Sequence, residues 1–520
     1  MPRNSPALNA SIAATRFGMG AKPGEIAQAT ADPQGWLAAQ IRPDGADVYP
    51  GMTGEQAGQA IQSFRFAVRD LKSDAAMKPT AVANPQTAGA PSSMASGAMT
   101  GGMTMTGGGA AAPSMAGAEM MRPNGKPPLN DIQMQRQALY QPVNQEVQAE
   151  VLARAQLGAS TDASFRERWA LFWSNHFTTA GKNQEMRLLS HVFEREAIRP
   201  HVFGRFETLL IASSTHPGML AYLDQQQSVG PGSVQIQRAV LRQGPRAKAG
   251  LNENLAREIM ELHTVGADGG YTQADVTEFA RALTGWGIAA GQPIDGPTPI
   301  GAAVFREVRH EPGDRTIMAR RYGQAGSEQA RAVLIDLAAR PQTAHRICTK
   351  IAAHFVSDTP DPALVARLEA AWKRSDGDLS QVALALVKAP EAWAPQQRKL
   401  KKPYELILSS YRAAGAKPMN VQREVMGPLT SLGQRPFDAP QPNGWSDQAM
   451  VWAAPDAVVK RLFWAQGFAG TYAPQGDIQA AATEALGARL APVTATALSR
   501  AESRPEAYAL LIMSPEFQRR

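Results

Sequence analysis

The sequence predicts an all-α fold, a multi-helix bundle with irregular Gly/Pro-rich connections and one small β-ribbon. Two observations predict it. Apolar residues recur with a period of about 3.6 residues through Gln145–Leu157, Ser164–Phe177, Gln184–Ala197 and Pro200–Ala212, and again beyond Ser327. Helix punctuation stands where that period breaks. Gly266, Gly269 and Gly270 stop one helix, Thr272 with Asp275 has the form of a capping box for the next, and Pro341 suits a first helical turn.

Taken in order, residues 1–75 read as short helices, with an apolar pattern through Ala60, Ile61, Phe64, Phe66 and Val68. Residues 76–128 form an insertion. Pro79–Ala118 within it carries no charge and consists almost wholly of Gly, Ala, Ser, Thr, Pro and Met. Such a segment buries too little apolar area to offset its ordering entropy, so disorder is expected there. Its Met94, Met99, Met103, Met105 and Met115, with Met120 and Met121, are soft ligands of the kind that bind Cu(I), or incidental flexible residues. Residues 129–300 are the central helical region. Residues 301–326 are an irregular connection with a β-ribbon expected around Ala303–Arg309, and residues 327–520 are a C-terminal helical region.

Composition bounds the function. A hydrophobic content of 44% with 19% charged residues is that of a globular protein. The net charge of +7 is small for this length and comes with no basic stripe interleaved with aromatics, so nucleic acid is not an expected partner. The single Cys348 excludes an intramolecular disulfide and a multi-thiolate zinc site. No secretory signal core and no membrane span is evident. A soluble protein is expected, cytoplasmic or exported with a partner.

The densest polar chemistry lies in Asn252–Trp286. At about 100° per residue, Asn254, Glu258 and Glu261 share one helix face, and Glu253, Arg257 and Glu261 form a second stripe. Two carboxylates one turn apart can divide acid and base roles or ligate a metal; the same spacing also suits ordinary ion pairs. His263 falls well off the Glu258 face, so no simple Glu–His metal motif is present. In the Phe165–Thr178 helix, Trp169, Phe172, Trp173 and His176 fall on an aromatic face. His176 reads as a core histidine, or as an acid–base partner if it meets Glu258. Arg199, at a helix junction, could hold a carboxylate or anionic ligand, and Asp224 is a loop carboxylate near this polar material. The candidate catalytic residues are therefore Glu258, Glu261, His176, Asp224 and Arg199, with Asn254, Arg257 and Trp286 as ligand contacts. No HExxH, GxSxG, phosphate loop or strand-borne GxGxxG occurs, and no cofactor is specified.

Several longer segments identify a resemblance. RFGMGAKPGE at Arg16–Glu25, FWSNHF at Phe172–Phe177, IRPHVFGRFETLL at Ile198–Leu210 and HPGMLAYLD at His216–Asp224 precede the most specific stretch, Asn252–Trp286. SDGDL at Ser375–Leu379, KKPYE at Lys401–Glu405 and LGQRPFDAPQPNGW at Leu432–Trp445 follow it. Over most of its length the chain resembles the bacterial "domain of unknown function 1800" family. The resemblance implies a largely helical protein, often encoded beside a sulfatase- or alkaline-phosphatase-like protein with a twin-arginine signal. It carries over no catalytic residue. The insertion and Gln225, where Asn is familiar, depart from the family pattern. Three functions are expected in order: a hydrolase or lyase using helix-borne carboxylates and a histidine; an accessory or escort subunit docking through segments such as Arg435–Trp445; and a metal-binding protein.

Overall fold

The computed structural model of the protein describes residues 4–77, 129–244 and 250–520. The methionines of the insertion lie outside the described residues, so the expected disorder and the Cu(I) reading concern a segment that is not described. Among the described residues the chain is overwhelmingly helical, with two small antiparallel hairpins. No helix among them is long and apolar enough to cross a membrane.

The chain forms two compact units, residues 1–62 with 141–520, and residues 63–140. In the smaller, the C-terminal part of helix Gly54–Met77 and the start of helix Leu129–Ser160 place the Phe64 and Tyr140 rings 4.5 Å apart. The larger unit has two hydrophobic cores. The first surrounds helix Ser164–His176, whose Trp169 and Trp173 are fully buried among Phe172, Phe203, Phe206 and Phe355. Burying a large apolar side chain contributes roughly 1.5–3 kcal/mol. Trp169 leaves no cost on its polar end, because its indole N–H donates to the Val202 carbonyl at 2.7 Å.

The second core holds Leu406, Tyr411, Phe468 and Tyr508. At its centre, helix Pro403–Ala413 is buried at every position. Its Arg412 is tolerated there because both carboxylate oxygens of Glu25 accept from it at 2.8 Å.

The Asn252–Trp286 hairpin is helical as its periodicity implied, with one difference. Helix Asn254–Glu258 continues as a π turn over Ile259–His263. A π turn inserts one extra residue, so the 100° spacing used to place Glu261 and His263 holds only as far as Glu258. The turn ends as expected: Gly266 and Gly270 have φ of +91° and +81°, backbone that glycine adopts without strain. The capping box is present, with the Thr272 hydroxyl accepting the Asp275 N–H and the Asp275 carboxylate accepting the Thr272 N–H at 2.7 Å. Thr272→Ala is expected to cost about 1 kcal/mol, read as a fall in urea midpoint at unchanged m-value.

The expected β-ribbon is found but shorter. Strand β1 (Trp286–Ile288) pairs with β2 (Ala303–Phe305), and Glu307–Arg309 is a 3-10 turn rather than strand. Strands β3 (Arg315–Ile317) and β4 (Arg320–Tyr322) form a second ribbon. Its tight turn puts Met318 and Ala319 at φ of +48° and +64°, and Asp275 holds it by accepting the Met318 N–H at 2.6 Å.

Candidate functional site

Helix Pro341–Phe355 has two faces. Ile347, Cys348, Ile351 and Phe355 are buried in the first core. Arg346, Lys350 and His354, spaced four apart, form a polar stripe along another side. At the end of that stripe, Nδ1–H of His354 donates to Oδ1 of Asp447 at 2.9 Å. Lys402 Nζ donates to the same oxygen at 2.9 Å, and Lys399 Nζ reaches the Asp447 carbonyl oxygen and the Asp358 carboxylate.

Electrostatics fixes the protonation pattern. Burial alone would raise the Asp447 carboxyl, but Lys402, His354 and Lys399 hold it well below the usual carboxylate range. Burial pushes His354 down to about 3, overriding the attraction of Asp447. His354 is therefore a neutral imidazole near pH 7. Because Asp447 takes its Nδ1–H, the Nε2 atom carries the lone pair. His354 is only 2% exposed, and its Nε2 finds no hydrogen-bond partner among the described residues.

His354 lines a cavity of about 80 Å³, enough for a few water-sized groups. Two further lining residues have a buried polar atom without a partner among the described residues, the Tyr404 hydroxyl and Thr179 Oγ1. Arg154 also faces it, lying over the rings of Tyr404 at 4.9 Å and Phe437 at 5.0 Å while its guanidinium pairs with Glu194. A second cavity of about 690 Å³ adjoins the first, with Lys350, Asp447, Trp445 and Trp452 among its walls. Asn175 and Trp445 border both. They are clasped reciprocally, the Asn175 amide donating to the Trp445 carbonyl at 2.9 Å and accepting its N–H at 2.8 Å.

The walls come from Arg154 and from segments far apart in sequence, 171–179, 350–354, 402–405 and 432–460. A family model described as "Protein of unknown function (DUF1800)" matches residues 12–519, which includes every one of them. The chain belongs to the DUF1800 family. No curated protein and no solved structure matches it.

The DUF1800 chain places the sequence candidates as follows. His176 is buried, and its bonds go elsewhere than Glu258: Nε2–H donates to the His263 carbonyl at 3.2 Å, and Nδ1 accepts from Lys350 Nζ at 2.9 Å. Burial, with Lys350 and His263 nearby, holds it well below its ordinary value and hence neutral. Glu258 and Glu261 stay together, half-buried, accepting no hydrogen bond among the described residues. Burial and then Glu261 raise the Glu258 carboxyl; Tyr222, Tyr271 and Arg346 are its and Glu261's electrostatic neighbours.

Arg199 is fully buried and paired with Glu167 and Glu194. Asp224 sits at the start of a 3-10 turn with φ of +56°, where its carboxylate accepts from Gln227 at 3.4 Å. Asn254 is exposed, and Arg257 bonds Gln273 at 2.8 Å and Glu253 at 3.2 Å. Trp286 lies on β1 against Phe305, its indole N–H buried without a partner among the described residues. Among the described residues no hydrogen bond or ion pair joins these residues to His176. Among the described residues no group of three or more His, Cys, Asp or Glu side chains is placed to hold a metal ion.

Sequence reasoning missed His354, Asp447, Lys402, Tyr404 and Lys350. One signal was available: HRICTKIAAHF carries Arg346, Lys350 and His354 at a strict four-residue spacing beside its apolar stripe. The Arg435–Trp445 segment, expected as a docking surface, contributes Pro436, Phe437 and Trp445 to the cavity walls.

Proposed function

We propose that this DUF1800 protein is an acid–base enzyme of the hydrolase or lyase kind, with His354 as the general base, Asp447 as its orienting carboxylate, and Lys402 as the cation that keeps Asp447 ionised. One observation carries the reading. A neutral imidazole is held by a carboxylate through Nδ1, its buried Nε2 has no partner among the described residues, and His354 lines a cavity together with Tyr404 and Thr179. A buried polar group without a partner costs about 1–3 kcal/mol, and sites that retain such groups are where chemistry is done. Glu258 and Glu261 then serve the outer end of the same helix stripe, through Arg346, rather than the reacting centre.

The test is turnover of a chromogenic panel of esters, phosphoesters, glycosides and amides by wild type and His354→Gln. The variant is expected to lose the wild-type activity and to melt within a few degrees of it. Full activity in His354→Gln sinks the proposal.

A second reading, the accessory subunit, has its own observation. Val458, Val459, Leu462 and Phe463 form an exposed apolar stripe on helix Pro455–Tyr472, with Phe463 68% exposed, next to exposed Met450 and Val451. Contiguous apolar surface of this kind suits a protein partner, here the sulfatase- or alkaline-phosphatase-like protein. Phe463→Asp should abolish co-purification with that protein; a chain that stays alone with it at micromolar concentration rejects this reading.

A further inference from the structure

Lys350 is a buried-side amine that the acid–base scheme leaves unused. It lines the larger cavity, and its Nζ has one hydrogen bond, to Nδ1 of His176. No carboxylate among the described residues forms an ion pair with it. The charged and titratable groups that face it are Arg346 one turn back, Lys402, Asp447, and the buried His176 and His263. Two of these are cations, and both histidines are neutral.

The His176 tautomer decides which way the amine is used. Because Nε2–H of His176 is spent on the His263 carbonyl, Nδ1 must be an acceptor, and Lys350 must donate to it. A neutral lysine that donates one N–H to His176 has its lone pair free toward the cavity. Burial, reinforced by Arg346, lowers its ammonium to about 8, so roughly a tenth is neutral near pH 7, far more than for an ordinary lysine.

We propose that Lys350 is a nucleophile that captures a carbonyl-bearing substrate, an aldehyde or 2-oxo acid, as an imine in the larger cavity, with His176 as the base that takes its proton. This rests on the reading of the paired cavities as an active site and narrows it to lyase chemistry. The Nζ lone pair adds to the carbonyl carbon and the C=O π pair moves to oxygen. The two amine protons leave with that oxygen as water, the first by way of His176 Nδ1, and a C=N bond remains. Lys350 and His354 stand one turn apart on one helix and line the two adjoining cavities, so a substrate that spans both brings the proton released by C–C cleavage or enolisation to His354.

The test uses pyruvate and propanal as probes, with sodium cyanoborohydride at pH 7 and peptide mass spectrometry of the full chain. The reduced adduct is expected at Lys350 at least about tenfold faster than at exposed Lys388 and Lys417, since ordinary lysines titrate near 10.4. Lys350→Met should remove it. His176→Gln should slow it about tenfold or more while labelling of Lys388 and Lys417 is unchanged, an effect a purely structural histidine would not give. Labelling of Lys350 no faster than of those surface lysines overturns the proposal. His354→Gln separates the two ideas, because imine trapping does not use His354. Loss of turnover with trapping intact supports both, and full turnover with trapping intact rejects His354 as the base while leaving the lysine standing.

Discussion

Arg199→Ala is expected to destabilise the protein by about 3–5 kcal/mol, the range seen when one partner of a buried ion pair is removed. Arg199 is fully buried and every donor is spoken for. Its terminal nitrogens each reach an oxygen of Glu167 at 2.8 Å, its Nε donates to Glu194 at 2.9 Å, and one terminal nitrogen also bonds the Asp47 carbonyl at 2.7 Å. The guanidinium also stacks on Tyr49, 5.1 Å from the ring centre. Truncation leaves Glu167 charged and buried without its fork; Arg199→Lys cannot restore a bidentate geometry and should recover only part of the loss. Urea denaturation measures it, and a loss under 1 kcal/mol would show that Glu194 and Glu167 are held by other means. The same network predicts acid sensitivity. Burial would raise the Glu194 carboxyl, but Arg154 and Arg199 hold it far below its unfolded value of 4.5, so its contribution is complete above that pH and is lost as the pH falls below it.

Asp447→Asn is expected to lower turnover by a factor of about 10²–10⁴, the typical worth of a positioned base. Asparagine keeps the volume but can present its NH₂ to His354, which favours the tautomer with the proton on Nε2 and removes the lone pair from the cavity. It also leaves Lys402 without its anion beside Lys399, which retains Asp358. A stability loss should therefore accompany the activity loss, and the pair Asp447→Asn with Lys402→Met should regain stability without regaining turnover. Recovery of both would mean that Asp447 acts only as a counter-ion. The Asp447 carboxyl is held low, so the stability it confers is present above the unfolded aspartate value of about 3.9 and lost as pH falls through it.

Most of the helical architecture was legible because it rests on local physics. Periodicity located the Ser164–His176 helix, glycines and a capping box bounded the Asn254–Leu283 hairpin, and Pro341 marked a helix start. The site was less legible for three identifiable reasons. In Pro341–Phe355 the apolar stripe dominates the pattern and hides Lys350 and His354 beside it. Asp447, Lys402 and Asn175 meet His354 only through long-range packing, which one sequence does not encode as spacing. Arg199 was expected to hold a carboxylate or an anionic ligand, and it holds the carboxylates of Glu167 and Glu194; a buried fork and an open one have the same sequence, so only the fold shows which carboxylates it takes. His176 was an acid–base candidate only if it met Glu258; the fold gives its Nδ1 to Lys350, a partner remote in sequence.

The π turn over Ile259–His263 works as a phase shifter. One residue removed from it would restore ordinary α geometry and change which peptide group stands opposite His176. The His263 carbonyl would swing off His176, freeing the imidazole to change tautomer and withdraw the acceptor that orients Lys350. Point substitutions on that turn alter one side chain at a time; a single-codon deletion there would detune the whole relay between the hairpin and the cavity.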